Sequence, residues 1–185
     1  MNRIIALVGM CGSGKSVCCE EFKSHGWEYV YFGGVTMREL EKRGLERCEK
    51  NEREVREELR REYGPAAFAL LLRDEIREKL GHANVCLDGL YSWSEWKVLK
   101  EAFGDTLTVV AIIAERKKRY ERIGNRVIRP LTPAEAESRD VAEIEKMEKG
   151  GPIAMADLFI FNDGDLEDFK EQTRAIIERA EAGEI

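Results

Sequence analysis

No run of apolar residues in this chain approaches the ~20 that a helix needs to cross a bilayer, so the sequence offers no membrane span. The first residues pass straight into a short apolar stretch, without the charged, apolar and small-residue succession of a secretory leader, and a cytoplasmic protein is expected. There is no C-x-x-C pair. The cysteines number five (Cys11, Cys18, Cys19, Cys48, Cys86), three of them within nine residues, which argues against a disulfide framework and against ordinary zinc-ligand spacing. An excess of positive charge is missing as well: the net charge is −6, which speaks against a protein that coats nucleic acid. Repeats, low-complexity tracts and linkers are also absent. The 185 residues therefore read as one domain, 1–185, able to bury a core without disulfides or structural metal.

What is there begins at residue 9. Gly9-Met10-Cys11-Gly12-Ser13-Gly14-Lys15-Ser16 matches G-x-x-x-x-G-K-S, preceded by the apolar Arg3–Val8 and followed by a helix-competent Val17–Lys23. Glycine at three of these positions lets successive backbone N–H groups converge on phosphate oxygens, and the helix that follows adds the positive end of its dipole. Residues 9–17 are thus nucleotide-binding candidates. Lys15 is placed to reach the β- and γ-phosphates of ATP and Ser16 to ligate Mg²⁺. Downstream, strand-like stretches (Trp27–Phe32, Val85–Leu87, Leu107–Ala114, Leu158–Phe161) alternate with helical ones. That alternation predicts an α/β fold with a parallel sheet between two layers of helices. The near-continuous apolar run 107–114 is expected to be a central strand covered on both faces. Glu49–Tyr63 differs in kind: it is dominated by charge, with Val55, Leu59 and Tyr63 as a thin apolar stripe, and it reads as a surface flap.

Three further features carry chemistry. Asp88 ends a buried strand one βα unit after the phosphate loop, where a carboxylate can hold Mg²⁺ beside Ser16. Residues 116–129 form the densest cationic run in an acidic chain, and Arg119, Arg126 and Arg129 are candidates to neutralise charge on a transferring phosphoryl group from a mobile loop. Arg116, Lys117 and Lys118 read as a solvated basic face. Arg38 opens the helix after the second strand, on the acceptor side of a crevice at the strands' carboxyl ends.

Together the phosphate loop, the Gly33–Arg38 helix start, Asp88-Gly89, the 119–129 arginines, Arg139-Asp140 and the ending Ile153–Gly164 resemble the P-loop nucleoside and nucleotide kinases. Among these the chain is most similar to adenylate-kinase-related proteins and dephospho-coenzyme A kinases. The resemblance implies a three-layer P-loop NTPase fold with a five-stranded parallel sheet, a helical acceptor-binding insert at 35–63 and a short lid at 124–133. It implies that Arg38 binds an acceptor phosphate, that Arg126 and Arg129 lie on the lid, and that Asn162 and Asp163 line the adenine pocket. Two departures bear on the acceptor. Phe32–Thr36 lacks the acid that dephospho-coenzyme A kinases carry there, and Asp88-Gly89-Leu90 is followed by Tyr91 where an arginine is common in the adenylate-kinase-related group. A hydroxyl acceptor wants a base, whereas a monophosphate already presents an oxyanion. The expected activity is therefore ATP-dependent phosphorylation of a nucleotide-like small molecule, a nucleoside monophosphate first, by a monomer or homodimer. The alternatives are a dephospho-coenzyme A or nucleoside kinase, and an ATP-dependent regulatory protein that offers the charged 49–63 helix to a partner. The base-reading Asn-Lys-x-Asp of guanine switches is absent.

Overall fold

Five parallel strands form one sheet in the order β2-β3-β1-β4-β5. The computed structural model describes residues 1–127 and 130–185. Strands are β1 (Ile4–Val8), β2 (Glu28–Tyr31), β3 (Val85–Asp88), β4 (Leu107–Ile113) and β5 (Leu158–Phe161). Helices are α1 (Lys15–Ser24), α2 (Gly33–Lys42), α3 (Glu49–Tyr63), α4 (Ala67–Leu80), α5 (Trp93–Phe103), α6 (Arg116–Gly124), α7 (Pro133–Glu145), α8 (Gly150–Ala154) and α9 (Leu166–Glu181). This is the expected α/β sandwich of a sheet between helical layers.

β1 lies at the centre, paired with β3 (Leu7 opposite Asp88) and with β4 (Leu7 opposite Val110). All five of its residues are buried, and the two-residue period of a strand divides them between the layers. Ile4, Ala6 and Val8 pack with Phe68, Leu72 and Leu99 of α4 and α5. Ile5 and Leu7 pack with Cys18 and Phe22 of α1 and Ile177 of α9. The cysteine pair 18-19 thus packs the first helix against the sheet. At the far edge, Gln172 of α9 turns its amide onto β5, accepting from Phe161 N at 3.2 Å and donating to Phe161 O at 3.0 Å.

Several boundaries differ from the sequence reading, each for a local reason. The second strand is shorter than Trp27–Phe32, covering Glu28–Tyr31, and Gly33-Gly34 starts the helix that follows. Tyr31 folds its ring over Gly33, where a Cβ would lie 2.3 Å from the ring carbon Cζ. The flap helix α3 buries Glu52, Val55 and Leu59, while Tyr63 is 43% exposed. The expected stripe is therefore one turn shorter at its end. α4 buries Phe68, Leu72 and Ile76, while Leu71 faces outward. α7 stops at Glu145, and Gly150-Gly151 begins the short helix α8. A capping box opens α5: Ser92 Oγ accepts from Glu95 N at 3.1 Å, and Glu95 Oε2 accepts from Ser92 N at 3.1 Å. Trp93 and Trp96 stack at 4.6 Å.

Candidate active site

The phosphate loop leaves β1 and turns into α1 through three glycines with positive φ, Gly9, Gly12 and Gly14. Gly14 shows why glycine is required. Its φ is +110°, and a Cβ there would lie 2.2 Å from Asn162 Nδ2, so an L-residue would be strained in backbone and contact alike. No acidic residue occupies the first turn of α1, which leaves the N–H groups and dipole free to meet an anion. Lys15 arches back over the loop, with Nζ donating to Gly9 O at 2.5 Å and Met10 O at 3.2 Å. Burial, and next the nearby charge of Lys149, bring Lys15 down to about 8. Ser16 is exposed at the start of the helix.

Side chains from distant elements hold this loop in shape. Arg119 of α6 donates to Cys11 O at 2.9 Å and forms a two-pronged, buried pair with Asp140 of α7 at 2.6 and 3.0 Å. Asn162, just after β5, donates from Nδ2 to Ser13 O at 2.7 Å. Arg122 in turn donates to Asn162 O at 2.8 Å. Arg126 reaches Cys11 Sγ at 3.7 Å.

These contacts revise several expectations. Arg119 is no loop arginine: it is buried in α6 with both prongs on Asp140, and it braces the phosphate loop. The amide of Asn162 is likewise engaged by the loop, rather than turned toward a base. Asp163 Oδ1 accepts from Glu115 N at 2.8 Å and its carbonyl accepts from Lys118 Nζ, so Lys118 is tied down rather than solvated. Arg38 leans away to Glu75 of α4 at 3.2 Å, more than half exposed, and is not among the residues lining the large cleft described next. Arg126 does approach the phosphate loop. Arg129, named with it, lies outside the described residues.

Asp88 stands at the end of β3, level with Leu7 of β1. Tyr29 donates its hydroxyl to Asp88 Oδ2 at 2.6 Å. Burial, then this bond, push the Tyr29 hydroxyl far up, so it stays protonated and donating, and Asp88 keeps Oδ1 for another partner. Among the described residues no cluster of three or more His, Cys, Asp or Glu could hold a metal ion. A cation here would need phosphate oxygens to complete its shell.

A cleft of about 770 Å³ opens between α2, α3 and α7, within the range of small-molecule sites. Its walls combine aromatic rings (Tyr31, Phe68, Tyr91) with guanidinium groups from the flap (Arg53, Arg56, Arg60). Arg53 pairs with Glu57 at 2.9 Å and Arg56 with Glu49 at 3.0 Å. Arg60 has no ion pair among the described residues; it rests over the Phe68 ring at 5.1 Å, and burial opposes its charge. Thr36 Oγ1, buried at the cleft wall, also lacks a hydrogen-bond partner. From α7, Arg139 and Glu143 complete the wall and pair at 3.3 Å. The sequence marked Arg139 only through the Arg139-Asp140 dipeptide, and nothing in the charged stretch 143–149 singled out Glu143 or Lys149.

Beneath the cleft, Glu95 is fully buried, accepting from Tyr91 N at 2.9 Å while Oε1 has no partner. Burial pushes its carboxyl up to about 7, against the pull of the backbone donors and Arg60. Because the native state holds this proton above the ordinary 4.5, folding takes up a proton between about pH 4.5 and 7, and stability falls as pH rises through that window. Glu95→Gln is expected to flatten the slope. Between pH 5 and 8 the wild type should lose about 2–3 kcal/mol more than the variant in urea denaturation; parallel curves would count against a neutral Glu95.

An all-parallel sheet in this order, with a glycine-rich loop feeding α1 and a helical insert over the strands' carboxyl ends, is the fold of the P-loop kinases. Shikimate kinase from Bacteroides thetaiotaomicron superposes with a TM-score of 0.61 at 16% identity, over 97% of this chain and 98% of its own. Dephospho-CoA kinase from Campylobacter jejuni gives 0.57 at 16%, over 97% of each chain. TT1252 from Thermus thermophilus gives 0.61 at 22%, over 96% and 97%. The chain belongs to the UPF0200 family. The UPF0200 protein of Thermococcus gammatolerans is 34% identical over 180 residues, 95% of this chain and 94% of the relative. That of Aeropyrum pernix is 38% identical over 173 residues, covering 92% and 90%. No family model matches. No helix among the described residues is long and apolar enough to cross a membrane.

Proposed function

We propose that this protein is an ATP-dependent small-molecule kinase whose acceptor, a nucleoside monophosphate or a close relative, occupies the cleft between α2, α3 and α7. The observation that carries this is Arg60, a half-buried guanidinium lining the cleft with no carboxylate paired to it among the described residues. Such a group gains most from an incoming anion, since binding ends its uncompensated desolvation. The names of the shikimate, dephospho-CoA and gluconate kinases that share the fold support small-molecule phosphorylation as the general activity.

In this reading the N–H groups of residues 9–17 cradle the donor's phosphates, and Lys15 leaves the Gly9 and Met10 carbonyls for the β- and γ-phosphates. Ser16 and the free oxygen of Asp88 fit the oxygen-donor set of Mg²⁺, and Mg²⁺, when bound, would neutralise charge on the β- and γ-phosphates. Residues 35–63 serve as the acceptor flap. Residues 124–133 serve as a lid that brings Arg126 over the loop. Asn162 and Asp163 shape the donor side indirectly, by fixing the loop and the start of α6. A phosphate acceptor suits the site better than a hydroxyl. Asp88 is the acid at the strand ends, and one of its oxygens is already committed to Tyr29.

The test is ADP formation from MgATP across nucleoside monophosphates, nucleosides, dephospho-coenzyme A, shikimate and gluconate. One monophosphate should raise the rate well above the blank. Arg60→Met should raise its KM about tenfold or more with a smaller change in kcat, as expected when a charged hydrogen bond to a bound anion is removed. Binding of ATP without stimulation by any acceptor would instead favour a nucleotide-dependent regulator.

A further inference from the structure

One charged group at the seam between phosphate loop and cleft has no role in the scheme above. Lys149 follows α7 and is 1% exposed, ranking among the largest fully buried side chains. Its ammonium lies 2.7 Å from Glu143 Oε2 and 4.9 Å from the centre of the Tyr91 ring. Both of those partners line the cleft. On the other side, Lys149 is the neighbouring charge that weighs most on Lys15. The ammonium therefore sits within electrostatic reach of the phosphate loop and one side chain away from the cleft.

The backbone is bent to put it there. Glu148 has φ +51°, the single positive value at a non-glycine among the described residues. The turn closes α7 through Glu148 N to Ile144 O at 3.1 Å and Lys149 N to Glu143 O at 3.2 Å. Helices ordinarily end this way on glycine. Here a glutamate takes the left-handed turn, Gly151 packs against Trp93 and Pro152 is buried, so the segment is pinned from both sides. Stability does not account for the pair, because two apolar side chains in place of Lys149 and Glu143 would fill the same space without taking an ammonium and a carboxylate out of water.

We infer that Lys149 is the acceptor-side counterpart of Lys15: its ammonium, oriented by Glu143 and the face of Tyr91, binds an anionic oxygen of the acceptor where the cleft meets the phosphate loop. The inference rests on the phosphotransfer reading and adds to it a second lysine, one that no sequence motif marks. Flap and loop then grip the acceptor from opposite ends, Arg60 from α3 and Lys149 from beside the donor.

Calorimetric titration of the full chain tests this, with MgATP and separately with AMP, CMP, GMP and UMP as probes. Lys149→Met and Lys149→Gln are measured together, so that a packing fault in one does not decide the outcome. Both are expected to bind MgATP within about threefold of wild type and to melt lower, because each leaves the buried Glu143 carboxylate with Arg139 as its remaining partner; binding is therefore read well below the melting range of each variant. Both should bind the wild type's preferred monophosphate about tenfold more weakly or worse, the loss typical of a charge-assisted hydrogen bond. Lys149→Arg should recover part of that loss. If the wild type binds a monophosphate and the folded variants bind it equally well, the inference alone fails. If the wild type binds MgATP but none of the four monophosphates, the monophosphate reading fails and takes the inference with it.

Discussion

Replacing Lys15 by alanine is expected to slow ADP formation by about 10²–10³-fold, a loss of roughly 3–4 kcal/mol of transition-state stabilisation. The magnitude follows from where charge develops. Phosphoryl transfer leaves the protein little covalent chemistry to perform, so catalysis comes from positioning and from cations aimed at the moving phosphoryl oxygens. Lys15 is the residue of the loop whose ammonium hangs directly over it, bonded to the Gly9 and Met10 carbonyls. Those two bonds are weak competitors for a polyphosphate. The fold should barely notice the change: the side chain fills no core space, and the loop is braced by Arg119 and Asn162. Initial-rate measurements beside a melting curve therefore separate the two effects. A drop in kcat of less than tenfold with an unchanged melting temperature would remove Lys15 from the transferred group.

The second large effect concerns stability. Arg119 and Asp140 are both more than nine-tenths buried and share two hydrogen bonds. Removing either alone strands the other's charge in the interior, which costs about 3–5 kcal/mol. For a chain of this length that corresponds to a fall in Tm of roughly 6–20 °C, at about 2–4 °C per kcal/mol. Arg119→Met should show the whole loss. The double change Arg119→Met with Asp140→Leu should recover most of it, because a well-packed apolar pair replaces the ionic one without the desolvation. Nucleotide affinity should not recover, since the bond to Cys11 O is gone in both variants. Equal melting temperatures for the single and double variants would mean that Arg119 acts through packing and not through its charge.

What the sequence disclosed and what it withheld divide along a physical line. The phosphate loop was legible because its requirements are local: glycines where positive φ is needed, a lysine and a serine at fixed offsets, and a strand and helix on either side. β4 was legible because burial on both faces leaves almost no polar residue in it. Tasks set by partners far along the chain were not legible. Arg38 was read toward the acceptor, but Glu75, 37 residues away, takes its guanidinium. Arg119 looked like one of several lid arginines until Asp140 and the Cys11 carbonyl came to meet it from other elements. Lys149 was hidden most completely. In Glu143–Gly151 charges and glycines mix as they do on any solvated turn, and only the left-handed Glu148 shows that the chain turns inward there.

The bond between Asn162 and Ser13 spans 149 residues, and that span has a consequence for how the protein comes into being. During synthesis the phosphate loop leaves the ribosome well before its brace, which follows it by 149 residues. The central strand β1 waits as well, for β3 and then for β4, each supplied by a segment translated much later. Between the emergence of the loop and that of its brace, the nascent chain carries the loop's sequence with its shape incomplete. Nucleotide capture by an emerging chain would therefore mark the arrival of Asn162 at Ser13.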